Sequence, residues 1–110
     1  MPTVAAQRGV VTPLLSGVTT GTGVGVAVPI NSKNPRVHFR SVGTVASGTI
    51  VIEEASSPDY TGTWSLIFTH TCTTNSEQVV HILGTLGVIR ARVTANVVGG
   101  AVATVELVSD

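Results

Sequence analysis

The chain is expected to fold as an all-β domain, a small antiparallel β-sandwich of jelly-roll-like form with an extended N-terminal arm. Three observations carry that expectation. Twenty valines and sixteen threonines make about a third of the 110 residues, and β-branched side chains suit a pleated, half-buried surface. Short alternating segments recur, separated by turn residues. Strong helix formers are scarce, and the one helix-like stretch, Ile82 to Leu86, is interrupted by Gly84.

Taken in order, Met1 to about Thr20 is irregular, broken by Pro2, Gly9, Pro13 and Gly17. It reads as an arm (1–20) ahead of a sandwich domain (21–110), with room for a short strand around Val10 to Leu15. Thr19 to Val28 holds Gly21, Gly23 and Gly25. Without a following helix this is a poor phosphate loop, and a strand with Val24, Val26 and Val28 on one face is the better reading. Arg36 to Val42 alternates, Val37 and Phe39 against Arg36, His38 and Arg40. Thr49 to Ala55 places Ile50 and Ile52 opposite Glu53. Pro58, Asp59 and Gly62 then mark a turn, Trp64 to His70 forms the next strand, and Glu77 to Leu83 another. In Val88 to Ala95, Ile89, Ala91, Val93 and Ala95 oppose Arg90, Arg92 and Thr94. Gly99-Gly100 offers a tight turn into Ala101 to Val108, so these two segments read as a hairpin with Glu106 approaching Arg90 or Arg92. Seven or eight strands suit a sandwich, with a small closed barrel as the competing architecture.

The length suits one domain. Six basic and six acidic residues cancel, and charged residues are only 11% of the chain, against about 25% in an average domain. A neutral chain has no electrostatic reason to seek nucleic acid or an anionic membrane. Low charge favours association instead. Cys72 is the only cysteine, which excludes an intrachain disulfide. No apolar run reaches the length of about 18 residues that a membrane helix needs, and Met1 to Val10 lacks a signal-peptide layout. Synthesis in the cytoplasm of the producing cell is the expectation.

The chemistry-bearing residues do not assemble on paper. His70, Cys72 and His81 fall short of the four ligands in paired spacing that structural zinc uses, so neither a metal nor another cofactor is expected. A hydrolytic triad lacks its nucleophile elbow. Asp59 belongs to a turn, Asp110 is the last residue of the chain, and the adjacent Glu53 and Glu54 point to opposite faces of a strand. No enzymatic activity or catalytic residue is expected. Trp64 and Tyr60 are candidates for a sugar-stacking platform, but a lone Trp at a strand start more often serves packing. Arg36, His38 and Arg40, and separately Arg90 and Arg92, form short basic stripes. Without interleaved aromatics or net positive charge, these are better read as solvated faces, or as ion pairs with Glu53 and Glu106, than as nucleic-acid contacts.

Three stretches together suggest a family. They are Ser47-Gly48-Thr49-Ile50-Val51-Ile52-Glu53-Glu54, then Ser57-Pro58-Asp59-Tyr60-Thr61-Gly62-Thr63-Trp64, then Ile89-Arg90-Ala91-Arg92-Val93-Thr94-Ala95-Asn96 running into Gly99-Gly100. Over roughly residues 48 to 108 the chain resembles small β-sandwich proteins of tailed-bacteriophage virions, which include capsid decoration (cement) proteins and related head or tail accessory proteins. The resemblance implies a structural protein on the capsid exterior, bound to the major capsid protein and associated with itself as a homotrimer. No catalytic or ligand residue comes with it. In this reading Thr3, Val4, Gln7 and Arg8 of the arm, with Arg90 and Arg92, are the expected partner contacts. The turn-then-Trp and strand-Gly-Gly-strand features also occur in carbohydrate-binding sandwiches, so a carbohydrate- or cell-surface-binding module of a tail fibre or adhesin is the alternative.

Overall fold

A computed structural model describes residues 10–30, 32, 34–82 and 87–109. Eight strands follow one another: β1 (Val10–Val18), β2 (Val26–Ala27), β3 (Arg36–Val42), β4 (Ser47–Ala55), β5 (Ser65–Thr71), β6 (Ser76–His81), β7 (Val88–Val98) and β8 (Val102–Ser109). They form two antiparallel four-stranded sheets. The order is β1-β8-β3-β6 in the first, here sheet A, and β2-β7-β4-β5 in the second, sheet B. The pairings β1 with β8, β2 with β7, β3 with β6 and β4 with β5 are nested. The chain is one long hairpin rolled up until β3 meets β8 and β4 meets β7. That is the double-sheet jelly roll.

Alternation in the sequence decides which face of each strand turns inward. Val37 and Phe39 of β3, Ile50 and Ile52 of β4, Ile89 of β7, and Val105 and Leu107 of β8 lose nearly all solvent contact between the sheets. Burying side chains of this size stabilises the fold by about 2 kcal/mol each, before chain entropy is counted. The Phe39 ring stacks on His70, with centroids 4.3 Å apart and planes 15° apart, and leans on Phe68 at 5.8 Å.

Three expectations need correction. The segment assigned to an arm up to Thr20 contains β1, a full strand of sheet A paired with β8 from Val10–Ser109 to Val18–Ala103. Pro13 is tolerated because β1 lies at a sheet edge, where a missing N–H breaks no interior ladder. A register shift follows Pro13, and the successive Leu14 and Leu15 are both buried, as a bulge permits and strict alternation does not. The short strand allowed for around Val10 to Leu15 is thus present, longer, and part of the core.

The second correction concerns the last two strands. β7 and β8 are not a hairpin; they belong to opposite sheets. Gly99 and Gly100, with φ of 114° and 107°, carry the chain across the end of the sandwich. A Cβ on Gly99 would come within 2.7 Å of the Ala46 nitrogen and 2.8 Å of the Thr44 carbonyl oxygen. The glycine pair therefore fits a crossing as well as it fits a turn, and local sequence does not separate the two.

The third concerns Thr19 to Val28. It runs beside β7, bonded through Gly23 N–H to the Ala91 carbonyl and Val93 N–H to the Gly21 carbonyl. Only Val26 and Ala27 keep strand geometry. Gly21 has a φ of 108°, and a Cβ on Gly23 would collide with the Leu14 carbonyl oxygen. The glycines thus permit a close edge contact and break the strand that Val24 was expected to share; Val24 is exposed while Val26 and Val28 pack on the core.

Candidate functional site

Two outward faces carry the polar chemistry. On sheet B, the register Glu53–Arg90 and Val51–Arg92 between β4 and β7 sets one carboxylate beside two guanidiniums. Arg92 grips Glu53 through two contacts, Nε to Oε1 at 3.1 Å and Nη2 to Oε2 at 2.8 Å, a forked geometry. Arg90 Nε donates to Oε1 at 3.1 Å. Glu53 is almost fully covered, while Arg92 remains about 40% exposed. The Arg92 hydrogen bond, more than the one from Arg90, holds the Glu53 carboxyl below its ordinary range, and partial desolvation opposes this. The same contact raises Arg92.

The Arg90 guanidinium also lies over the Trp64 ring, 4.2 Å from the centroid, a cation–π contact. Trp64 is buried with Ala55 and Val88 in a small cluster outside the main core. Its indole N–H donates to the Tyr60 carbonyl at 3.0 Å, fixing the 57–62 turn against sheet B. In that turn the Ser57 hydroxyl donates to the Asp59 carboxylate and lowers its pKa. Trp64 therefore packs, as the sequence reading favoured, and its face is taken by Arg90; Tyr60 stays 45% exposed.

On sheet A, Arg36, His38 and Arg40 of β3 do share the outer face. Their neighbours are Glu77 and Val79 of β6 and Glu106 and Val108 of β8. His38 sits between two carboxylates, its Nε2 2.9 Å from Glu77 and its Nδ1 3.9 Å from Glu106. Val11, the three β3 side chains, Val79, Glu106 and Val108 line an open depression of about 370 Å³.

The remaining expected site residues separate. His70 is buried in the core, where its Nδ1–H donates to Gln78 Oε1 at 2.7 Å. Burial lowers its pKa, and that hydrogen bond opposes the shift. Cys72 is buried too, and burial pushes its thiol up. His81 is exposed and shares a 2.8 Å hydrogen bond with Asn34. Among the described residues no three His, Cys, Asp or Glu side chains converge as metal ligands, and no helix is long and apolar enough to cross a membrane. Thr3, Val4, Gln7 and Arg8 lie outside the described residues.

Neither a family model, nor a curated protein, nor a solved structure is similar to this chain.

Of the pairings expected from sequence, Glu53 does hold the β7 arginines. Glu106 does not, because β8 lies in the other sheet; it neighbours His38 instead. The Arg90–Trp64 contact went unread, since nothing local links a turn-end Trp to a strand 26 positions later. The clue was available in the single isolated Trp and a face of two arginines with one nearby acid.

Proposed function

We propose that this chain is a structural protein of a bacteriophage virion, a decoration (cement) protein made in the host cytoplasm and seated on the capsid exterior. There it binds the major capsid protein, associates with its own copies and stabilises the shell. The observation that carries the reading is the strand order β1-β8-β3-β6 over β2-β7-β4-β5. This is the two-sheet arrangement used by viral capsid and lectin domains, an analogy of fold. The resemblance over residues 48 to 108 and the charge-poor composition point the same way.

Surface chemistry adds support. Val10, Val11, Val42, Val79, Val98 and Val102 are each at least 39% exposed, a distribution suited to covering by partners. The sugar-binding alternative is weakened because Trp64 is buried under Arg90.

Antibodies raised against the purified chain and applied to intact virions from the producing cells test the proposal. Labelling spread over the head supports it. Labelling restricted to the tail moves the protein to a tail role, and unlabelled virions overturn the proposal.

A further inference from the structure

The outer face of sheet A carries Arg36, His38, Arg40, Glu77, His81 and Glu106, with exposed valines among and beyond them. Register places Pro13, Glu106, His38 and Val79 side by side across the four strands. Val11 flanks this row on one side, and the Val42–Val102 pair lies two positions further along on the other. Val11, Val79, Val42 and Val102 are 45%, 52%, 55% and 39% exposed. Isolated exposed valines need no explanation, but several on one sheet face around a charged centre have the anatomy of an interface.

We propose that this face binds the same face of a second copy about a two-fold axis running between β3 and β8. The inference rests on self-association as the protein's mode of action and assigns it a two-fold pair, not the homotrimer that the resemblance implies. Such an axis carries β8 of one copy over β3 of the other, so each residue faces its own Cα partner from the register. His38 meets Glu106 of the second copy, and Glu106 meets its His38. Val42 meets Val102, and Pro13 meets Val79. An isologous contact requires this reciprocity; here an imidazole meets a carboxylate at the centre, Val42 meets Val102 at one end, and at the other Arg36 meets Val108 and Val11 meets His81. The alternative two-fold axis, perpendicular to the strands, sets His38 against Arg40 and Arg36 against Val42, which gives neither guanidinium an acidic partner in the second copy. Twisted sheets packed face to face cross at about 30°, so the central row stays in contact while the corners diverge. Four strands about 4.8 Å apart and seven residues long cover about 450 Å² of plane. A standard interface takes about 800 Å² per partner, so the pair is weak and concentration-dependent.

Analytical ultracentrifugation from micromolar to millimolar tests this on the purified chain, without virions, so its outcome is separate from that of the capsid reading. The wild type is expected to shift from monomer to dimer. His38→Asp places two carboxylates face to face, and Glu106→Lys takes away the carboxylate that faces the imidazole and puts an ammonium there. Each is expected to weaken pairing at least about tenfold, as is Val79→Lys at an exposed position that leaves the core intact. Because the contact is reciprocal, mixing the His38→Asp and Glu106→Lys chains restores complementary pairs, and dimer mass should return in the mixture. That recovery also separates a lost interface from a fold damaged within one chain. A wild type that stays monomeric at millimolar concentration overturns the proposal. So does an oligomer, dimer or trimer, indifferent to these substitutions, or a mixture that fails to recover.

Discussion

Arg90 joins two otherwise separate features of sheet B: its guanidinium covers the Trp64 indole at 4.2 Å, and its Nε reaches the Glu53 carboxylate at 3.1 Å. The turn bearing Tyr60 is thereby tied to the β4–β7 ladder through a single side chain. The cluster has one anion and two cations, and its acid is the least exposed member. Loss of that acid leaves both arginines facing each other.

Glu53→Gln should therefore destabilise the fold by about 2 kcal/mol at neutral pH. This is less than the 3–5 kcal/mol of a fully buried pair, because both arginines touch solvent. The sign of the pH effect follows from the lowered carboxyl. Its contribution is complete above the ordinary glutamate value of about 4.3. It disappears as pH falls through the lower value of the folded state. Urea midpoints measured from pH 7 to pH 3 should converge for wild type and variant at the acid end.

His70 acts in the same direction over a higher pH window. Its pKa is lowered by burial against Phe39, so the unfolded chain binds its proton first. Stability from this site is complete above about pH 6.5. It declines as pH drops from there toward the folded value. His70→Phe keeps an aromatic ring beside Phe39 and removes the titration. Between pH 7 and pH 5 the wild-type midpoint should fall more steeply than that of the variant.

Trp64→Ala should cost about 3 kcal/mol, the lower end for removing a large buried aromatic, since the site lies at the rim of sheet B. Thermal melts followed by far-ultraviolet circular dichroism measure this without relying on the lost fluorophore. A variant as stable as the wild type would show that Trp64 is not a packing residue.

Removal of residues 1–20 takes away β1 with Leu14 and Leu15, both in the core. That truncated chain should fail to fold cooperatively. Removal of residues 1–9 alone spares every described strand and should leave the melting transition in place. Two-dimensional NMR spectra of the two truncations give the comparison.

Periodicity made much of this fold legible. Alternation marks Arg36 to Val42 as a strand with its true boundaries and turns Ile89, Ala91 and Val93 of β7 inward, whereas Ala95, expected on the same face, is exposed beside a register shift. What stayed hidden depends on partners distant in sequence. The full length and core role of β1, allowed for only as a short strand at Val10 to Leu15, are obscured by Pro13 and the shift that buries two adjacent leucines, both natural at an edge and misleading in one dimension. Gly99-Gly100 looked like a hairpin because a sheet-to-sheet crossing uses the same positive φ values. That single misreading also misplaced Glu106, whose neighbour His38 lies in a strand nearly seventy residues earlier. The Glu53 pairing was legible because acid and arginines sat on like faces of two regular strands.

The central claim is that this jelly roll acts as part of a phage shell. Quantitative mass spectrometry of gradient-purified virions from the producing cells tests it most directly. The account predicts the chain in a fixed copy ratio to the major capsid protein, reproduced between preparations. Virions that lack the chain while it remains in the soluble fraction would contradict the account.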